Sequence, residues 1–205
     1  MDIMLFNLLR IVLWLIISSF VVLKIRKTKI VRKKLVSLLI VVLCLGLISV
    51  SGMFPIENLF INFKSPESVF NYTNSGKVND VLYGKESCMA IYSNWNSTGG
   101  HYIIPKTEKG YKIPSCFATK IVSHKFDKSG LFDVYNVKGT QDYYVFGTVN
   151  LKDDGNEIDI FDGSDEKVES NIIRVGHTNF IYFFLDDFSN EYYLLINGEK
   201  VSISK

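Results

Sequence analysis

Two apolar runs separated by eleven residues set the first limit on this chain. Residues 3–23 hold only two strongly polar side chains, Asn7 and Arg10, and residues 35–53 hold no charge. A hydrocarbon core of about 30 Å takes roughly 20 helical residues at 1.5 Å each. Neither run shows the polar face of a soluble core helix. The expectation is a two-helix transmembrane hairpin with spans 3–23 and 35–53. A cleaved signal segment would carry its basic residues ahead of the first run, and here they follow it. Leu43 precedes Cys44, where a lipoprotein site needs a small residue, so Cys44 reads as an apolar packing residue.

Between the runs stand Lys24, Arg26, Lys27, Lys29, Arg32, Lys33 and Lys34. Short loops rich in Lys and Arg stay cytoplasmic. This orients the hairpin with both termini, and everything after Met53, outside a plasma membrane. The same seven side chains are expected to touch anionic lipid headgroups. Charge divides accordingly, with residues 1–53 at +7 and residues 54–205 at −5. A basic loop pinned between two apolar runs has no reach for nucleic acid, and the later part has one arginine, Arg174. Arg10 has two readings: its long stem reaches the outer interface near Asp2, or it pairs with a carboxylate of a partner membrane protein.

Residues 54–76 read as a connector with a short helix. Ser65 suits a cap, Pro66 the first helical position and Glu67 the positive helix end, while Asn74-Ser75-Gly76 stops the turn. From Lys77 onward, Val, Ile, Tyr, Phe and Thr run in short stretches broken by Gly, Asn and Asp, which is strand and turn chemistry. Strands are expected at 78–83, 88–93, 101–105, 111–113, 117–126, 131–137, 143–150, 157–161, 172–175, 180–186, 192–196 and 200–203. With no long helical pattern between them, they form an antiparallel β-meander over 77–205. Three stretches of about 35 residues share a strand and turn layout, so barrel, sandwich and propeller-like repeats all remain open.

Chemistry is sparse. His101, His124 and His177 lack metal-ligand spacing, no nucleophile motif stands out, and no Gly-rich phosphate loop or dinucleotide fingerprint occurs. The acidic stretch 153–166 misses the calcium-loop spacing and reads as solvated turns. No catalytic, cofactor or metal residue is therefore expected, and nothing points to a small-molecule ligand. Cys88 and Cys116 could form a disulfide outside the cytoplasm, or remain two buried thiols. The aromatic run "FIYFF" must place rings on both faces of its strand, and an exposed face would be a patch for a partner.

The motif F-x-S-P-E-x-x-F, Phe63 to Phe70, followed by a strand pair resembles small uncharacterised membrane-anchored proteins of Gram-positive bacteria. That resemblance covers about thirty residues, implies a bacterial plasma membrane, and brings no activity with it. The functional expectation is a non-catalytic, membrane-anchored extracytoplasmic binding or accessory module, partnered by lipids and by another membrane or surface protein. The alternative is a membrane-anchored envelope hydrolase, which would need a concave cluster of polar groups with shifted pKa values.

Overall fold

Strand chemistry dominates what forms. In a computed structural model the described residues are 3–27, 33–51, 53, 55–94, 98–127, 130–149, 158–162, 164–175, 177–188, 192–196 and 198–203. Among them, two helices, α1 (Ile3–Arg26) and α2 (Lys33–Ser51), lead into a 3-10 turn (Ile56–Leu59) and a short helix α3 (Pro66–Thr73). The Ser65 side chain accepts from the Ser68 amide, and Pro66 fills the first turn, as the capping grammar requires.

Twelve strands follow: β1 (Lys77–Tyr83), β2 (Ser87–Ser93), β3 (Gly99–Thr107), β4 (Gly110–Tyr111), β5 (Thr119–Asp127), β6 (Gly130–Val137), β7 (Tyr143–Val149), β8 (Ile158–Phe161), β9 (Asn171–Val175), β10 (Thr178–Leu185), β11 (Tyr193–Ile196) and β12 (Glu199–Ser202). Each overlaps a stretch where the residue pattern places one, although β4 shares only Tyr111 with the expected 111–113. They pair antiparallel into three sheets, β1-β2-β3-β4, β5-β6-β7-β10-β9 and β12-β11-β8.

The side chains show how the sheets stack. Ile181, Phe183 and Leu185 of β10 join Phe132, Val134 and Val145 in a core shared with Ile160, Leu194, Ile196 and Val201 of the three-stranded sheet. The alternate residues Tyr182 and Phe184 pack with Tyr144 and Val137 against Met89, Ile91 and Ile103 of the first sheet. The far face of that first sheet, through Cys88, Ala90 and Ile104, meets Val69 of α3. The order is therefore α3, first sheet, central sheet, outer sheet. The central sheet is buried on both faces, which is why β10 reads as a continuous apolar run and not an alternation. The "FIYFF" patch considered from the sequence is thus covered on both sides. Gly147 of β7 leaves room for Phe132 of the paired strand β6, since a Cβ there would strike the Phe132 ring and the Leu131 carbonyl.

The three similar stretches are not equivalent blades. The first makes a whole sheet, whereas the last divides, with β9 and β10 in the central sheet and β11 and β12 in the outer one. Of the architectures left open, stacked sheets are what forms.

The transmembrane hairpin is corrected. Among the described residues, no helix is long and apolar enough to cross a membrane. The charge-free stretch of α1 runs only from 11 to 23, between Arg10 and Lys24, about 20 Å at 1.5 Å per residue. That of α2 runs from 35 to 51, about 26 Å by the same rise. Both fall short of about 30 Å. The two helices instead pack along each other, and α1 also touches α3.

Candidate functional site

The helix pair is fastened to the sheets by the connector. Arg10 of α1 donates from Nε to Glu57 Oε1 at 2.9 Å and from Nη2 to Oε2 at 3.1 Å. Both side chains are nearly out of solvent, at 7% and 13% exposed. Next in the turn, Asn58 Nδ2 donates to the Ile113 carbonyl at 2.8 Å and Asn58 Oδ1 accepts from the Ile113 amide at 2.9 Å. Lys112 Nζ donates to the carbonyls of Asn58 and Ile61. Phe63 and Tyr111 then exchange both backbone bonds, and the Cys116 amide donates to the Met53 carbonyl. A charged fork, an amide clamp and a two-bond bridge thus fix one short segment between α1 and the first sheet.

Arg10 was expected near Asp2 or on a partner's carboxylate. Asp2 lies outside the described residues, and among those described Arg10 pairs with Glu57 of the same chain. The sequence signal was present in "PIENLF", an acidic residue in an otherwise apolar connector, but its pairing with a position 47 residues away is not legible from spacing.

A second polar cluster pins the first sheet to the central one. Asp142, 1% exposed, lies just before β7. Its carboxylate accepts from the amides of Lys85 and Glu86 at 3.1 and 2.9 Å and from the Ser87 hydroxyl at 2.6 Å. Because Ser87 donates to Asp142, the Tyr144 hydroxyl donates to Ser87 across 2.9 Å. Burial raises the Tyr144 pKa, so it stays a donor. Tyr182 of β10 makes a parallel pin, donating to Asp80 of β1. The Asp142 cluster satisfies buried groups between the layers, and the Tyr182 bond ties a buried ring of one sheet to an exposed carboxylate of the other, so both are structural ties.

The seam between the same two sheets opens into a cleft of about 360 Å³ beside His101, Pro114, Ser115, Cys116 and Thr119. The His101 ring packs on Tyr135 and Phe146 at 4.4 and 4.5 Å between centroids. Behind it Asp133 accepts from Tyr135 and pairs with His124. Burial pushes His101 from 6.5 to about 4, against the smaller opposing pull of Asp133. The imidazole is therefore neutral at neutral pH. Unfolding restores the ordinary value, so the unfolded chain binds the extra proton between pH 6.5 and about 4. Stability from this group is complete above pH 6.5 and falls below it by up to about 1.4 kcal/mol per pH unit. Denaturant titrations across that window should show a shallower decline for His101→Phe than for the native chain.

The two cysteines are free, which corrects the disulfide option. Cys88 is buried in the first sheet, and burial, with Glu67 nearby, pushes its thiol up to about 12. Cys116 is exposed, contrary to the expectation of two buried thiols. In a Cys44→Ala background, maleimide should label Cys116 in the folded protein and Cys88 only after unfolding; equal labelling rates would contradict this packing.

Of the basic set, Lys24, Lys27 and Lys34 are exposed. Arg26 and Lys33 belong to the helices, while Lys29 and Arg32 lie outside the described residues. In the acidic stretch, Asp162 Oδ1 accepts from the amides of Ser164 and Glu166, the turn geometry expected for such residues. Among the described residues, no group of three or more His, Cys, Asp or Glu is placed to hold a metal.

The class defined so far is a stacked three-sheet β domain bearing a clamped apolar helix pair. No family model, no curated protein and no solved structure matches the chain.

Proposed function

We propose that the chain is a lipid-associated, non-catalytic binding or accessory module, with the helix pair held by lipid and the β stack displayed beside it. The observation that supports this is the reversed polarity of α1. Its one described mid-helix charge, Arg10, is 6% exposed, whereas Ile16 and Phe20 are 62% and 69% exposed. Ile11, Val12, Leu13, Leu15, Ile16 and Ile17 are all exposed, covering roughly 240° of the helix at 100° per residue. An exposed apolar patch of that width marks a contact surface, and its composition suits acyl chains. A groove of about 420 Å³ along Val12, Ile16, Phe20 and Leu23 suits an acyl chain. Lys24, Lys27 and Lys34 at the far end of the pair suit anionic headgroups.

On the β side, β5 is an end strand of the central sheet and carries exposed Ile121 and Phe126. An open strand edge with apolar side chains offers main-chain bonds and contact area to a protein partner at the same surface. The full chain should float with anionic vesicles in a density gradient. A monodisperse protein that stays at the bottom without detergent would end this reading.

The cleft at His101, Ser115 and Cys116 supports hydrolysis as a second reading. A base with a pKa near 4, wedged against two rings, is badly matched to proton abstraction at neutral pH. Labelling of Ser115 or Cys116 by an electrophilic activity probe, lost in His101→Phe, would favour the enzyme.

A further inference from the structure

The connector turn repeats the reversed polarity of α1 at the junction with the β stack. Glu57 and Asn58 point inward, one onto Arg10 and the other onto both backbone groups of Ile113. The adjoining Leu59 and Phe60 point outward, 78% and 83% exposed. In water the pattern would run the other way, with apolar groups in and polar groups out. The Lys112 bonds to the Asn58 and Ile61 carbonyls hold the turn, so Leu59 and Phe60 cannot roll inward without breaking them. Met53, just after α2, is tied by its carbonyl to Cys116, which brings the exposed Phe117 to the same junction.

We infer that Leu59 and Phe60, with Met53 and Phe117 beside them, form an apolar collar seated in the headgroup and upper acyl layer of a lipid bilayer. The inference rests on the lipid reading above and adds where the β stack meets the surface. Lipid is the occupant because the collar continues the exposed apolar face of α1, to which Glu57 joins it. The collar mixes aliphatic and aromatic side chains with an adjacent cation, Lys112, the composition that settles at a bilayer interface. It would hold the first sheet and the His101 cleft close to the lipid, since Ile113 and Cys116 are bonded directly to the collar segment.

The test uses the full chain with Trp14→Phe and Trp95→Phe, carrying either Phe60→Trp or, as a control at the other end of β5, Phe126→Trp. Both introduced indoles replace highly exposed rings, so folding is not at issue. In vesicles of mixed phosphatidylcholine and phosphatidylglycerol brominated near the headgroup end of the chains, the indole at position 60 should lose about half its emission or more, as expected for an interfacial aromatic. The indole at position 126 should keep its emission. Flotation without quenching at position 60 overturns the collar while leaving the lipid reading intact, and failure to float overturns both. A blue shift at position 60 that grows with protein concentration and needs no vesicles assigns the collar to a second copy of the chain and also overturns the inference.

Discussion

Arg10→Leu is expected to cost about 3–5 kcal/mol, because it strands a carboxylate in a buried site. Glu57 keeps only 13% of its side-chain exposure and has both oxygens turned to the guanidinium. Glu57→Leu alone strands the guanidinium and should cost a similar amount. The double replacement removes both charges together, and the loss should be far smaller than the sum of the two. Chemical denaturation of the four proteins measures the coupling. Hydrogen exchange gives its location: the single variants should lose protection at Ile61, Lys112 and Ile113, where the connector meets the first sheet. Additive losses, or loosening confined to α1, would show that the fork does not fasten the two parts.

Asp142→Ala should be the most damaging change inside the β stack, at about 3 kcal/mol or more, because it removes the acceptor for three donors that each cost about 1–3 kcal/mol unpaired. These are the amides of Lys85 and Glu86 and the Ser87 hydroxyl. Asp142→Asn should fall between, since its amide nitrogen faces a donor where an acceptor is needed. Ser87→Ala leaves Asp142 its two amides but strands the buried Tyr144 hydroxyl, so it should cost about 1–3 kcal/mol. Thermal melts of the three variants give the order directly. Gly84→Ala is a further probe, because a Cβ there would meet the Tyr144 hydroxyl and the Asp142 carboxylate.

The strands and α3 were legible because their signals are local. Alternating β-branched and aromatic residues mark a strand within five or six positions, and Ser65-Pro66-Glu67 marks a helix start within three. Layering was less legible. The continuous run of β10 shows that both faces are apolar, but only the pairing of Phe180 to Ile173 and Thr148 shows which strands flank it. The polar ties were not legible at all. Asp142 sits in "GTQDYY" and looks like a turn residue, and its partners are more than fifty positions away in the turn after β1. Arg10 announced itself as a charge among apolar residues, but the residues around it point to Asp2 or to a partner's carboxylate and not to Glu57, 47 positions away. The spans were overread for a related reason: hydropathy averages over Arg10 and Asn7, whereas the structure ends the apolar stretch at the ion pair.

An indole at position 20 tests the central claim, that the exposed apolar face of the helix pair lies against lipid. Phe20 is 69% exposed on α1. In a chain with Trp14→Phe, Trp95→Phe and Phe20→Trp, bound to vesicles with bromine on the acyl chains, that indole should be strongly quenched, and unbrominated vesicles of the same charge should leave it bright. Emission that is the same in both vesicles, in protein that has floated with them, would contradict the claim and require a protein surface against that face instead.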